Sequence, residues 1–218
     1  MEVKREDVFL IDDDLFWSTE DIPAYEYLKK SHEHEERVLS KHLEGTNVAV
    51  QAGGHCGFVI RELLNIGFTN IYTFEPNNSM FLALCLNVPE PSVYKIQGCV
   101  GDEVGLVNMI KNGNRPAGAN FVDINTVGLG LIPTFTIDSL ALNSCDLIML
   151  DTEGYEYKAL LGAQKTIEKY KPLLCLERCW GPEHINVSEV EMDSLLDLWG
   201  YVLVDRAGES DHIYKYKV

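Results

Sequence analysis

No stretch of this chain approaches the roughly 20 consecutive apolar residues that cross a bilayer, so a membrane-spanning protein is not expected. Basic residues are scarce. Eighteen Lys and Arg stand against 34 Asp and Glu, a formal net charge of −16. Such a surface repels phosphate backbones and argues against a nucleic-acid partner. The opening residues, MEVKREDVFLIDDD, carry charge where a signal peptide needs its apolar centre. The six cysteines (Cys56, Cys85, Cys99, Cys145, Cys175 and Cys179) lie mostly inside apolar segments, as buried thiols rather than a disulfide framework. Cys175 and Cys179 lack a second ligand pair, and His32 and His34 of HEHEER sit two apart, off a common helix face. No metal site is assigned. The expectation is a cytoplasmic protein with no membrane partner.

What is present is a core. Hydrophobic residues make up 46% of 218, enough for one folded domain and too many for global disorder. Residues 1–45 differ from the rest: the charged stretch DIPAYEYLKKSHEHEERVLSKHLEG, between Pro23 and Gly45, reads as an N-terminal helical cap. From residue 46 strands and helices alternate. NVAVQAG, NIYTFEP, SVYKIQGCV, CDLIMLDTEG and KPLLCLER read as strands. FVIRELLNIGF, NSMFLALCLNV, YEYKALLGAQKTIEKY and VSEVEMDSLLDLWG read as helices. The alternation implies right-handed crossovers and a mostly parallel sheet. YVLVDRAG and DHIYKYKV form a terminal hairpin, so one strand runs antiparallel. Residues 101–140, rich in Gly and Asn with short β-prone pieces, are an insertion. Leaving the carboxyl edge of the sheet, it is placed to shape a substrate pocket, with a plain surface loop an equally good reading.

Three pieces carry chemistry. In VAVQAGGHCGFVI the first strand turns into a helix through Gly53, Gly54 and Gly57, which allow close backbone approach beside a helix N-terminus. Glu75 ends the second strand 22 positions after Gly53, near the spacing at which an acid holds a ribose diol. The turn is G-G-x-x-G and lacks the G-x-G-x-x-G favoured by a pyrophosphate, which weighs against a nicotinamide-dependent oxidoreductase. Asp151 and Glu153 end the fourth strand.

With these motifs the chain resembles the FkbM-type methyltransferases, class I enzymes that use S-adenosylmethionine. QAGGHCG matches the family's D-x-G-A-N-x-G, Phe74-Glu75-Pro76 matches F-E-P, and residues 135–177 match its long LD…DvEGaE…P…vE block. The resemblance covers roughly residues 47–205 and implies a Rossmann-like α/β fold. That fold has a seven-stranded, mostly parallel sheet with one antiparallel strand and helices on both faces, in a domain spanning 46–218. It implies S-adenosylmethionine as cofactor, held by Gln51, Gly53, Gly54, His55, Gly57, Glu75, Pro76, Asn77 and Asp151. Cys99 and Val100 would wall the adenine, and Asp102 would meet its amine. Two positions depart from the family: Gln51 replaces the first-motif acid, and Met149 replaces a lysine. Gln51 can still accept a hydrogen bond but brings no charge. A catalytically silent binding protein is therefore the alternative, with the oxidoreductase behind it.

The resemblance further implies methylation of a hydroxyl, on a small molecule or glycan. An alcohol is a poor nucleophile, so a base is expected near the methyl group. Asp151 and Glu153 are the candidates, as general base or as a partial Mg2+ site, with His55 second. Glu153 bracing the next helix is an equally good reading. Cys56 packs under the loop.

Overall fold

In a computed structural model, the chain is described over residues 7–11, 15–19, 21–22, 25, 38–110, 121–123, 132–178, 187–207 and 210–217. Five strands build the parallel part of the main sheet: β3 (Val48–Ala52), β4 (Asn70–Phe74), β5 (Val93–Ile96), β10 (Leu147–Leu150) and β11 (Leu173–Glu177). Two more, β12 (Tyr201–Ala207) and β13 (Asp211–Tyr216), complete seven strands in the order β12-β13-β11-β10-β3-β4-β5. β13 runs antiparallel to both neighbours, as the terminal hairpin requires.

β3 and β10 are buried along their whole length, which explains their unbroken apolar runs: both faces carry helices. α1 (Phe58–Ile66) leaves β3 through Gly57 and ends at Gly67, whose N–H closes onto Leu63 and Leu64. α2 (Asn78–Asn87) is capped by Asn77, whose side chain accepts from Ser79 and Met80. The segment 155–170, expected as one helix, is two: α3 (Glu156–Leu161) and α4 (Gln164–Tyr170). The break falls at Gly162, where a Cβ would lie 1.9 Å from the Gly101 carbonyl oxygen; the helix pair is pressed onto that loop. Asp138 then takes the Lys165 and Thr166 amides at the start of α4. α5 (Glu189–Leu198) opens with a Ser188–Glu191 capping box.

Two expectations change. SVYKIQGCV is not one strand: after β5 the chain bends at Gln97 and Gly98, and β6 (Cys99–Val100) joins a second sheet. That sheet, ordered β6-β9-β7-β8, is built from the insertion: β7 (Gly105–Ile110), β8 (Phe121–Asp123) and β9 (Ile132–Phe135). The second change lies in the stretch expected as a helical cap. Residues 38–42 are helical, but β1 (Val8–Ile11) and β2 (Leu15–Ser18) form an antiparallel hairpin. Trp17, fully buried, packs with Val8, Leu15, Tyr25, Cys56, Met80 and Ala83, pinning that hairpin to α2 and the turn before α1. His32, His34 and Cys179 lie outside the described residues.

Candidate functional site

At the carboxyl ends of β3, β4 and β10 the chain leaves the sheet in three turns that face one another across a cleft of about 530 Å3. This is where parallel sheets of this kind bind ligands. Gly53 forms its floor, with φ of +91° and space where a Cβ would stand 2.0 Å from the Asp151 carbonyl oxygen. Only glycine fits there. The amides of Gly53 and Gly54 both donate to the Phe74 carbonyl, tying the first turn to the end of β4.

Glu75 projects from that end. It is 5% exposed, and each carboxylate oxygen has a backbone donor: His55 N–H to Oε2 at 2.8 Å and Asn77 N–H to Oε1 at 2.7 Å. Burial pushes its pKa up, while the His55 charge and the two amides hold it down. A carboxylate fixed on both sides by amides keeps its remaining lone pairs for a ligand at the cleft. Pro76 and Asn77 continue the lining, then Met80 from the first turn of α2.

The opposite wall combines two elements. Gly98, Cys99 and Val100 come from the bend into β6, and Met109 from β7 of the inserted sheet. Cys99 is pushed up to about 12 by burial and by the charge of Glu75, so it remains a neutral thiol in an apolar surface. Asp151, Thr152, Glu153 and Tyr155 close the mouth. Glu153 has φ of +55°, a conformation costly for a side chain other than glycine. The turn is held by Glu156, whose Oε1 accepts from Thr152 N–H, Thr152 Oγ1 and Gly154 N–H at 2.8, 2.8 and 3.2 Å. One oxygen each from Asp151, Glu153 and Glu177 lie within 4.8 Å of one another, concentrating negative potential at the mouth.

Of the residues expected at a cofactor site, the cleft gathers Gly53, Glu75, Pro76, Asn77, Cys99, Val100 and Asp151, together with the candidate base Glu153. Five lie elsewhere. Gln51 is fully buried in β3, its Oε1 accepting from Thr73 Oγ1 at 2.7 Å, so it does not reach the ligand space. Asp102 does not line the cleft: it pairs with Lys158 at 2.5 Å. Gly54 and Gly57 shape the turn from behind. His55 points its ring away to Asp21, at 2.6 Å, and offers the site only its amide. Sequence reasoning missed Thr152, Tyr155, Met80 and Met109. Glu156 also braces this turn, and its signal was there, a second acid three residues later in LDTEGYE.

The methyltransferase FkbM domain matches residues 48–203. The chain belongs to the FkbM methyltransferase family. Solved structures share its fold at low identity. The methyltransferase FkbM of Methylobacillus flagellatus superposes with a TM-score of 0.57 at 16% identity, over 87% of this chain and 50% of that one. This chain thus spans half the length of that relative. A putative S-adenosylmethionine-dependent methyltransferase of Methanococcus maripaludis superposes at 0.51, with 11% identity over 89% of each chain. A TehB-like S-adenosylmethionine-dependent methyltransferase of Corynebacterium glutamicum superposes at 0.50, with 11% identity over 89% of this chain and 95% of that one. No curated protein matches the sequence. The architecture is therefore that of a class I methyltransferase, with strand order and antiparallel β13 as described above. Among the described residues no helix is long and apolar enough to cross a membrane.

Proposed function

We propose that this chain binds S-adenosylmethionine in the Glu75 cleft and transfers its methyl group to a hydroxyl oxygen of a small-molecule or glycan acceptor. The observation that carries this reading is Glu75 itself: a buried carboxylate with both oxygens aligned by amides, facing a cleft floored by Gly53. Such a group suits the paired hydroxyls of a ribose. Pro76, Met80, Cys99, Val100, Met109 and Tyr155 offer an apolar slot of the kind a purine fills. When bound, the donor supplies an electrophilic methyl carbon on a positively charged sulfur. The acids at the mouth favour that charge. Asp151 and Glu153 line the mouth of this cleft, and either carboxylate can take the acceptor hydroxyl's proton as the oxygen–carbon bond forms and the sulfur–carbon bond breaks. Met109, from the inserted sheet, brings that sheet to the cleft wall and makes it the natural source of acceptor selection.

The second reading is a protein that binds the donor without turnover. It is favoured by Gln51, which stands uncharged and sealed in the sheet where the family pattern has an acid. Incubation with methyl-labelled S-adenosylmethionine and a panel of small-molecule and glycan hydroxyl acceptors separates the two. Label on acceptor oxygen with equimolar S-adenosylhomocysteine supports transfer. Tight donor binding with no label on any acceptor supports the silent form.

A further inference from the structure

We infer that the N-terminal hairpin is a working part of the donor site, with Asp21 a positioning residue that holds Glu75 through His55. The inference rests on the donor reading of the Glu75 cleft and adds to it a segment that lies before the matched family domain.

Both amides that hold Glu75 belong to residues anchored by this segment. His55, which gives its N–H to Oε2, has its ring nitrogen Nε2 2.6 Å from Asp21 Oδ2. Asn77, which gives its N–H to Oε1, accepts at Oδ1 from the amide and hydroxyl of Ser79. Because the Ser79 proton is spent on Asn77, the 2.7 Å contact between Ser79 Oγ and Ser18 Oγ is donated by Ser18. A third tie runs through Asn87. Its side chain accepts from Phe16 N–H and donates to the carbonyls of Phe16 and Cys56, all at 2.7 Å. The hairpin therefore grips the glycine turn and the start of α2 at once.

The Asp21–His55 tie also carries charge. Asp21 is fully buried, and Trp17 covers the pair, with its ring 5.0 Å from the imidazole and its Nε1–H on the Asp21 carbonyl. Asp21 Oδ1 and His55 Nδ1 are buried without a hydrogen-bond partner among the described residues. The Nε2–Oδ2 contact is thus the one hydrogen bond between these two side chains, with Asp21 fully buried and the His55 ring partly exposed. Among the described residues, Asp21, Cys56 and Glu75 are the titratable groups whose influence on the imidazole raises it. Burial opposes its protonation, but the Asp21 hydrogen bond, then Cys56 and Glu75, push His55 up to about 10. The imidazolium faces both Asp21 and Glu75, and its charge opposes the rise that burial imposes on Glu75. Without Asp21's charge, burial would strip the His55 proton. Glu75 would lose its cation and become harder to ionise, and a neutral carboxyl is a poorer acceptor for two hydroxyls.

The test compares the full-length chain with Asp21→Asn and Asp21→Glu in calorimetric titrations with S-adenosylhomocysteine from pH 7 to 9. The unmodified protein should bind with nearly constant affinity. Asp21→Asn should bind about tenfold more weakly at pH 7 and recover as the pH rises, because losing the imidazolium makes Glu75 harder to ionise. Asp21→Glu should restore the flat profile. A uniform loss with an unchanged pH profile would mark Asp21 as structural only and overturn the inference. A second arm needs no ligand: the unmodified protein's His55 imidazole, followed by NMR, should stay protonated beyond pH 9. Titration near or below 6.5 overturns the inference whatever the ligand. Failure of the unmodified protein to bind the nucleoside would instead overturn the donor reading, and the imidazole titration would still decide the charge pairing.

Discussion

Two turns meet at the cleft, and they are stabilised in opposite ways. The first, residues 53–57 after β3, and the second, residues 151–155 after β10, each contain a glycine and a side-chain-bearing residue at positive φ. Each is tied down by a buried carboxylate that accepts backbone N–H groups. Glu75, however, comes from a neighbouring strand, sits beside an imidazolium, and depends on a hairpin about 60 residues away in sequence. Glu156 lies in the second turn's own helix, has no cation among the influences on it, and is pushed up to about 7 by its burial against the pull of its amides. The first turn's brace faces a cation and is held from a distant segment; the second turn's brace comes from its own helix and faces none. The difference separates a brace paired with a cation from one whose hold on the turn carrying Asp151 and Glu153 changes near pH 7.

The harshest way to break the comparison is at Gly53, the point where the two turns touch. Gly53→Ala places a Cβ 2.0 Å from the Asp151 carbonyl oxygen and forces an L side chain to φ of +91°. Unfolding should show a loss of at least ~2 kcal/mol, and donor binding should disappear with it.

Glu156→Gln sharpens it. Because the folded pKa of Glu156 lies near 7 and its ordinary value is 4.5, the folded protein keeps a proton that the unfolded chain releases between those values. The contribution is fully present below pH 4.5 and is lost as pH rises through 7. Chemical denaturation from pH 4.5 to 8 should show a falling stability on the order of 3 kcal/mol, and the Gln variant should lack that slope.

The smallest effect is expected at Lys158–Asp102, a pair about one-third exposed on the rim of the second turn. Lys158→Met should change stability by less than ~1 kcal/mol and leave nucleoside affinity unchanged. A larger loss of affinity would return Asp102 to the site.

What could be read from the sequence divides along the same line. Gly53, Glu75 and Asp151 were legible because each sits at the end of an apolar strand, and strand ends are local features of the pattern. The sheet was legible for the same reason, down to antiparallel β13. The hairpin was not: Trp17 and Asp21 follow no period, and their partners His55 and Met80 lie 34 to 63 residues further on. Nor was the bend at Gly98 or the helix break at Gly162, since both are forced by backbone from distant segments, Pro133 and Gly101. Gln51 showed the limit of motif transfer: its position matched, while its side chain was committed to Thr73 inside the sheet.

The central claim is that Glu75 is the carboxylate around which a nucleoside donor binds. Its most direct test is calorimetric titration of the unmodified protein and of Glu75→Ala with S-adenosylhomocysteine at pH 7.5. The account predicts one site per chain in the unmodified protein and a loss of at least ~100-fold in the variant, as for a charged, buried hydrogen-bond acceptor. Equal affinity in the two proteins, or no binding to the unmodified one at millimolar ligand, would contradict it.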